Sequence, residues 1–313
     1  MIILGDRYSF SKVEKERIEK RFSTINHISY KSSTASSCIK KIGGFLKSAN
    51  SKLIVLNTKA AIPTKLLTYL TKLEIQGIRY ITVEHFMEKY LHKCLIIDES
   101  FDVAFLDDIH SYTRFQKIQK RLIDYIAIVM LFIPTIVAII YSAYRILKES
   151  PRGGLFFRQR RVGLGECEFD CIKLRSMHKD AEKNGAKFAT DNDPRAFPWG
   201  ERLRYTKIDE LIQLWNVFKG QMHFVGPRPE RKIWTKEFEK SIPYYTQRHI
   251  VSPGITGLAQ IKYQYGSGKL DAKEKLMYDL YYIKNWSLKL ELEIIWKTIL
   301  FLFTKKREDL SNF

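Results

Sequence analysis

The sequence predicts two domains of different fold class. Residues 1–112 are expected to form a Rossmann-like α/β domain with a parallel sheet. Residues 113–313 are expected to form a mainly α, loop-rich, monotopic domain that enters a membrane from one side through a re-entrant, Pro-broken helix. Two observations support this division. Short apolar runs alternate with helical patterns up to about residue 112, and a long uncharged segment, Tyr125–Tyr144, follows between basic residues.

The apolar runs of the first domain predict strands joined by helices. The predicted strands are Met1–Gly5, His27–Tyr30, Lys52–Asn57, Ile78–Val83 and Cys94–Asp98, and helical patterns include Phe10–Phe22 and Thr64–Leu73. Because strands alternate with helices, we expect parallel pairing. No G-x-G-x-x-G motif follows the first strand, so a structural or regulatory role is expected rather than nucleotide binding.

The composition indicates a folded, strongly basic protein. The chain has 53 Lys and Arg against 34 Asp and Glu, a net charge of +19, which favours polyanionic partners such as anionic lipid or phosphorylated substrates. Its cysteines, Cys38, Cys94, Cys167 and Cys171, are expected to be reduced thiols. Cys167, Cys171 and His178 lack a second ligand pair at a zinc spacing, so zinc is not expected there.

The uncharged segment Tyr125–Tyr144 would be about 30 Å long as a helix, the thickness of a bilayer core. Pro134 lies at its middle and removes a backbone hydrogen bond. Basic residues flank both ends, before it Lys117, Lys120 and Arg121, and after it Arg145, Lys148 and Arg152. The positive-inside rule therefore places both ends in the cytoplasm, which predicts a re-entrant segment over about residues 121–148. A simple transmembrane span and a buried soluble hairpin remain alternatives.

An adjacent carboxylate pair, Asp209 and Glu210, lies between two arginines on its N-terminal side, Arg202 and Arg204, and the proline-flanked Arg228. Carboxylates among arginines have a lowered pKa, so we expect both to be ionised at neutral pH. Such a pair can bind a hard cation or attack phosphorus, and arginine forks suit phosphate oxygens.

The same residues allow a structural interpretation. Thr206 and Asp209 have the spacing of a helix cap, in which Thr206 accepts from a backbone N–H group and Asp209 bonds back. The basic, loop-rich stretch that precedes the pair, Ser150–Arg195, supplies either a lipid-facing surface or an anion-binding site.

Several motifs in order resemble one family over about residues 120–306. They are KRLIDY (Lys120–Tyr125), FFRQRRVG (Phe156–Gly163), KLRSM (Lys173–Met177), KIDELIQLWNVFKG (Lys207–Gly220), VGPRPE (Val225–Glu230) and SPGITGLAQ (Ser252–Gln260). Together they resemble the bacterial sugar transferases, which are polyprenyl-phosphate hexose-1-phosphate transferases, also called monotopic phosphoglycosyl transferases. The chain departs from the family pattern at Ile212, usually proline, and at Leu258, usually tryptophan, which puts loop shapes and any inherited sugar preference in doubt.

The resemblance implies an enzyme that moves a sugar-1-phosphate from a nucleotide diphosphate sugar, expected to be a UDP-sugar, to undecaprenyl phosphate, releasing UMP. This reaction is the first membrane step of surface glycan assembly, at the cytoplasmic face of the bacterial inner membrane. By the resemblance Asp209 is the nucleophile, forming a phosphosugar-aspartate intermediate, and Glu210 completes the dyad. Activity needs Mg²⁺, for which Glu210 is the expected ligand.

Five basic residues are candidates for binding substrate phosphate. They are Arg228 as first choice, and then Lys173, Arg175, Arg204 and Arg248. The expected partners are the nucleotide sugar donor, the polyprenyl phosphate acceptor and membrane lipids, without nucleic acid, and a homodimer is compatible with the sequence.

Near the C-terminus, Lys275–Phe303 places aromatic residues among leucines and isoleucines and is followed by Lys305-Lys306-Arg307. This pattern fits an interfacial amphipathic helix, and equally a helix packed on the catalytic domain.

Two other classes of function explain the basic surface. A non-catalytic membrane-tethered scaffold or polyanion-binding protein would not need Asp209. A nucleic-acid-binding protein would use the net charge, but the basic residues cluster beside the membrane segment and no recognisable reading module is present.

Overall fold

The structure is a computed structural model of the chain and describes residues 1–30, 35–48, 52–97, 107–183, 185, 190, 193–263, 266 and 268–304. The chain divides into two compact units, Met1–Ser100 and Phe101–Phe313. Asp108 and Tyr112, which the predicted boundary assigns to the first domain, lie in the second unit and contact its other residues. Asp108 pairs with Lys284 at 2.9 Å, and the Tyr112 ring lies 5.6 Å from that of Trp286.

The first unit contains a parallel sheet, as predicted. Its strands are β1 (Ile2–Leu4), β2 (Asn26–Ile28), β3 (Leu53–Leu56) and β4 (Arg79–Thr82), and its helices are α1 (Lys12–Arg21), α2 (Ala35–Ser48), α3 (Thr64–Ile75) and the short α4 (Val83–Phe86). Within the described residues the strand order is β2-β1-β3-β4, with all three pairings parallel. This is the flavodoxin-type order of doubly wound sheets rather than the Rossmann order 3-2-1-4.

The carboxyl ends of β1 and β3 are linked by Asn57. Its side-chain amide donates to the carbonyls of Gly5 and Tyr8, at 3.2 and 2.9 Å, and its side-chain oxygen accepts from the Tyr8 amide at 2.9 Å. A side chain at Gly5 would collide with the Asn57 carbonyl, because a Cβ there would lie 2.3 Å from that oxygen. At this sheet edge, where doubly wound folds bind ligands, the two loops therefore bond to each other.

One strand prediction is wrong. Cys94–Ile97 is not a strand, and Asp98 lies outside the described residues. The segment follows a π-helical turn, Met87–Leu91, and left-handed His92 at φ 56°. Its apolar side chains are buried by packing, and burial alone produced the pattern that resembled a buried strand.

The second unit is mainly helical, as predicted, with two small β elements. Its helices are α5 (Arg114–Glu149), α6 (Pro198–Thr206), α7 (Leu214–Phe218), α8 (Lys232–Glu239), α9 (Leu258–Lys262), α10 (Lys269–Lys284) and α11 (Leu288–Thr304). Three 3-10 segments cover Leu164–Glu166, Ile208–Gln213 and Tyr245–Ile250. The strands β5 (Phe156–Val162) and β6 (Glu168–Leu174) form an antiparallel hairpin, and β7 (His223–Val225) pairs in parallel with β8 (Gly254–Thr256).

Helix α5 contains the apolar segment. Within the described residues it is the one helix long and apolar enough to cross a membrane, and only 17% of its most apolar window is buried. Val129, Met130 and Ile133 are more than 70% exposed. Such a surface is unfavourable in water and suits lipid. The helix is continuous through Pro134. The re-entrant course of the segment and the break at Pro134 therefore have no support from the structure and stay predictions.

Both ends of α5 pack on the second unit. Near its start, the Lys120 ammonium is completely buried and donates to the Val225 carbonyl at 2.9 Å and to Glu291 at 2.7 Å. Near its end, Ile146 joins an apolar cluster with Phe197 and Leu203. Because both ends belong to one folded unit, they are held by the same part of the protein, in keeping with the charge pattern of the sequence.

The two C-terminal helices differ in how far their aromatic side chains are buried. The predicted segment Lys275–Phe303 is divided between α10, whose Tyr278 and Tyr282 are buried in the core, and α11, which exposes Leu292 and Trp296. The interfacial interpretation is therefore wrong for α10 and stays a prediction for α11. The following Lys305-Lys306-Arg307 lies outside the described residues.

Helix α6 packs closely enough that one position requires glycine. A Cβ on Gly200 would lie 1.9 Å from the Ser176 carbonyl oxygen. We expect Gly200→Ala to lower the melting temperature by several degrees, since overpacking costs about 1–3 kcal/mol. Gly44→Ala in α2 is the control, because a Cβ there meets no atom within 4 Å. Equal melting of the two variants in a thermal unfolding assay would contradict this packing.

Candidate active site

The carboxylate pair follows a sharp change of chain direction. Helix α6 ends at Thr206, Lys207 adopts a left-handed conformation at φ 60°, and the 3-10 segment that begins at Ile208 carries Asp209 and Glu210. The helix-cap interpretation is wrong, since the Thr206 hydroxyl donates back to the Arg202 carbonyl at 2.8 Å and α6 ends rather than begins there. The turn places both carboxylates in the interior, only 5% and 6% exposed.

Glu210 is bound by two cations. Lys173, from strand β6, donates to its Oε1 at 2.6 Å, and Arg228, after strand β7, donates to the same oxygen at 2.7 Å. The second oxygen, Oε2, has a longer contact of 3.4 Å with Arg228. Burial alone would raise the pKa of Glu210, but Arg228 and Lys173 together hold it well below its usual value. Glu210 is therefore an anion at any pH near neutral.

Asp209 has a different environment. Among the residues that the structure describes, its Oδ1 is buried and has no hydrogen-bond partner. Burial and the neighbouring Glu210 carboxylate raise the pKa of Asp209 to about 6, although Lys173 and Lys207 act against this. An unpaired carboxylate oxygen with a raised pKa keeps its basicity and is still largely ionised at neutral pH, which suits a nucleophile.

This corrects the expected charge environment of the pair. Arg202 and Arg204 do not supply its cations. Arg204 lies 3.7 Å from Asp193 and donates to the Thr190 carbonyl at 3.4 Å. Arg202 is exposed, and its charge helps to lower the pKa of Glu149. The expected lowering of the pKa therefore holds for Glu210 and is wrong for Asp209.

A small pocket adjoins the dyad. Two of its lining residues, Lys173 and Arg228, are those that bind Glu210, and the full lining is Arg161, Cys171, Lys173, Gln213, Arg228 and Pro229. Gln260 approaches from α9, where its Oε1 accepts from Arg228 at 3.0 Å while its buried Nε2 has no partner within the described chain. The pocket thus combines the cationic groups of Arg161, Lys173 and Arg228, a set that suits phosphate oxygens.

Two other predicted phosphate-binding residues, Arg175 and Arg204, bind groups of the protein itself. Arg175 donates to the Ser150 hydroxyl and carbonyl at 2.7 and 2.6 Å and to the Gly154 carbonyl at 2.6 Å. Arg204 pairs with Asp193 as described above. The structure therefore brings Lys173 and Arg228 to the dyad and uses Arg175 and Arg204 to hold loops.

Arg248 lies one step behind the dyad. Its guanidinium is buried, donates to the carbonyl of Arg228 at 2.8 Å and to the Tyr245 hydroxyl at 2.7 Å, and lies 2.9 Å from Asp279. Arg248 thus fixes the main chain that presents Arg228 and does not itself contact the dyad.

Sequence reasoning missed four residues near the dyad. Lys207 adjoins it directly, Gln260 ends the SPGITGLAQ motif, and Arg161 and Gln213 line the pocket. The position of Lys207 beside the pair was a usable signal. For the other three, only the tertiary fold shows the proximity.

The chain is similar to known proteins over most of its second unit. Residues 115–305 match the sequence profile of the bacterial sugar transferase family. The chain is 44% identical to the UDP-N-acetylgalactosamine-undecaprenyl-phosphate N-acetylgalactosaminephosphotransferase of Aeromonas hydrophila over 183 residues, which are 58% of this chain and 42% of that protein.

Two further relatives have glucose in their names. The UDP-glucose:undecaprenyl-phosphate glucose-1-phosphate transferase of Xanthomonas campestris pv. campestris is 41% identical over 57% of this chain and 36% of its own length. The protein of the same name from Caulobacter vibrioides is 36% identical over 60% of this chain and 70% of its own. The chain thus spans less than half the length of the Aeromonas and Xanthomonas relatives that it matches. Since the profile match extends over more than half of the chain, the protein belongs to the bacterial sugar transferase family.

Proposed function

We propose that this protein transfers a sugar-1-phosphate from a UDP-sugar to undecaprenyl phosphate, with release of UMP. The observation that carries the proposal is that two adjacent buried carboxylates have different surroundings. Glu210 is neutralised by Lys173 and Arg228, while the buried Oδ1 of Asp209 has no partner in the described chain. The names of the relatives support the donor and acceptor classes.

The reaction proceeds by two displacements at one phosphorus atom. An oxygen of Asp209 attacks the phosphorus that carries the sugar, the bond from that phosphorus to the bridging oxygen breaks, and UMP leaves with the electron pair. The acceptor phosphate then attacks the same phosphorus and displaces the Asp209 carboxylate, giving a lipid diphosphate sugar. Because the two anionic substrates react in turn, their mutual repulsion never has to be overcome in a single complex.

The surrounding residues supply positioning and charge. Lys173 and Arg228, which donate to the neighbouring Glu210, would bind the donor phosphates and balance negative charge that shifts toward the leaving group. Arg248 keeps Arg228 in place through its carbonyl. Arg228 is thus the primary phosphate-binding residue of this proposal.

The residues present fit a magnesium ion. The Oε2 of Glu210, which has only the 3.4 Å contact with Arg228, is a hard oxygen donor of the kind that Mg²⁺ prefers. Glu210 would hold the ion together with the donor diphosphate. When bound, Mg²⁺ neutralises the diphosphate and stabilises the charge that develops on the leaving UMP.

The membrane arrangement follows from α5. Its exposed apolar middle would lie in the bilayer, and the basic residues at both ends favour a cytoplasmic position for both. We therefore place the enzyme at the cytoplasmic face of the inner membrane, where it acts in the first membrane step of surface glycan assembly.

The test is the mass of the protein after reaction with donor alone. Detergent-purified full-length protein would be incubated with Mg²⁺ and UDP-N-acetylgalactosamine, UDP-glucose or UDP-galactose, without lipid acceptor. We expect one donor to give about one equivalent of UMP and a mass increase equal to its sugar phosphate, and undecaprenyl phosphate to remove that mass. Failure of a wide donor panel with folded protein, while binding to anionic vesicles persists, would favour the scaffold function.

The raised pKa of Asp209 predicts a pH dependence. Below about pH 6 the carboxyl is protonated and cannot attack, so the rate of UMP release should rise with pH through about 6 and then level off. This should be measured in the first half-reaction without acceptor, because a lipid phosphate itself titrates at about pH 6. A rate that stays constant between about pH 5 and 8 would contradict protonation of Asp209 near pH 6 during the first half-reaction.

A further inference from the structure

Three side chains of metal-ligand type meet at the turn of the β5–β6 hairpin, outside the dyad. Glu166 ends that turn, Glu239 ends helix α8, and His249 lies in the 3-10 segment Tyr245–Ile250. One ligand atom of each lies within 4.8 Å of those of the other two. Since the residues come from three separate segments, the tertiary fold rather than local helix spacing brings them together.

His249 is the buried member of this cluster. His249 is only 7% exposed, and its Nδ1 is buried without a hydrogen-bond partner among the described residues. Burying a polar nitrogen without a partner costs about 1–3 kcal/mol when nothing binds it. A ring nitrogen of His249 lies within 4.8 Å of a carboxylate oxygen of each of the two glutamates, so an ion bound there would gain an imidazole ligand.

The two carboxylates of the cluster lie close to each other. Glu166 and Glu239 are both acidic, and their carboxylate oxygens lie within 4.8 Å of each other, so their charges repel. A divalent cation would replace the repulsion by attraction to both. Glu166 is exposed, so its side chain is free to close onto an ion.

We propose that Glu166, Glu239 and His249 bind one divalent transition-metal ion, with Zn²⁺ as the best match. One imidazole nitrogen and two carboxylate oxygens suit Zn²⁺, with water completing the coordination, whereas Mg²⁺ prefers oxygen donors alone. This site is separate from the one proposed for Mg²⁺ at Glu210, and it does not depend on the reaction proposed above.

The position of the cluster indicates a structural role for the ion. His249 directly follows Arg248, whose guanidinium donates to the Arg228 carbonyl at 2.8 Å. An ion at the cluster would fasten the hairpin turn and the end of α8 to this segment. It would therefore stabilise the main chain that presents Arg228 without touching substrate.

The test is Zn²⁺ binding by full-length, detergent-purified protein stripped with a chelator. Equilibrium dialysis would be done in a large excess of Mg²⁺, which occupies sites made of oxygen donors. We expect about one Zn²⁺ per chain, a higher melting temperature with Zn²⁺, and affinity weakened at least about tenfold in Glu166→Gln and in Glu239→Gln. Glu166→Gln is a safe variant for folding because the residue is exposed.

The matched control is Glu168→Gln, two residues along the same hairpin. Glu168 pairs with Lys232 and is not part of the cluster, so this variant should bind Zn²⁺ as the wild type does. The proposal is overturned if folded wild type binds no Zn²⁺. It is equally overturned if all three variants bind Zn²⁺ with the affinity of the wild type, since the ion would then lie elsewhere.

Discussion

Asp209→Asn is expected to reduce UMP release by about 10³-fold or more while leaving the protein folded and bound to membranes. The amide keeps the size of the carboxylate but has no anionic oxygen to attack phosphorus. Folding should be preserved, because Oδ1 of Asp209 makes no hydrogen bond within the described chain that the substitution would break. The measurement is UMP release with the preferred UDP-sugar, beside a melting curve of each variant.

The control for Asp209→Asn is Asp170→Asn, on strand β6. Asp170 has an exposed side chain with only a distant ion pair, 4.0 Å from Arg160. It should retain wild-type activity. If Asp209→Asn releases UMP at a rate close to the wild type, a different residue is the nucleophile and the two-step mechanism proposed here is incorrect.

Lys120→Ala is expected to destabilise the second unit by about 3–5 kcal/mol. The substitution leaves Glu291 buried and charged without its cation, and it removes the donors to the Val225 carbonyl and the Tyr282 hydroxyl. For a unit of this size the loss corresponds to a fall of about 10 °C or more in melting temperature. Thermal unfolding in detergent measures it.

Lys117→Ala is the matched control for Lys120→Ala, one turn earlier on the same helix. Lys117 is exposed, so its removal should leave the melting temperature within about 2 °C of the wild type, as is usual for surface changes. A Lys120→Ala variant as stable as Lys117→Ala would show that the buried ammonium is replaced at no cost, for example by water.

The sequence predicted the parts of the fold that depend on local pattern. The parallel sheet followed from alternating apolar runs and helices, and helix α5 from one uncharged segment. Cys94–Ile97 shows the limit, because a buried apolar run looks the same whether it joins a sheet or packs as irregular chain. Whether backbone groups find a neighbouring strand is decided by tertiary structure.

For the candidate site, the sequence predicted the dyad but not its electrostatics. Arg202 and Arg204 are close to Asp209 in sequence, yet the left-handed turn at Lys207 directs the pair away from them. The cations that matter come from β6 and from the loop after β7. A pKa depends on burial and on neighbours in space, so the opposite shifts of Asp209 and Glu210 required the fold.

The contacts near the start of α5 limit how far this protein can be shortened. Asp124 accepts from the Phe224 amide at 2.7 Å and from His223 at 2.6 Å, and Arg121 donates to the Val217 carbonyl at 2.7 Å. A fragment begun after this helix, designed to avoid detergent, would lose these partners and expose the strand that leads into Arg228. Helix α5 is therefore part of the fold that holds the candidate site, and a detergent-free variant would need substitutions on the exposed apolar surface of α5 rather than deletion of the helix.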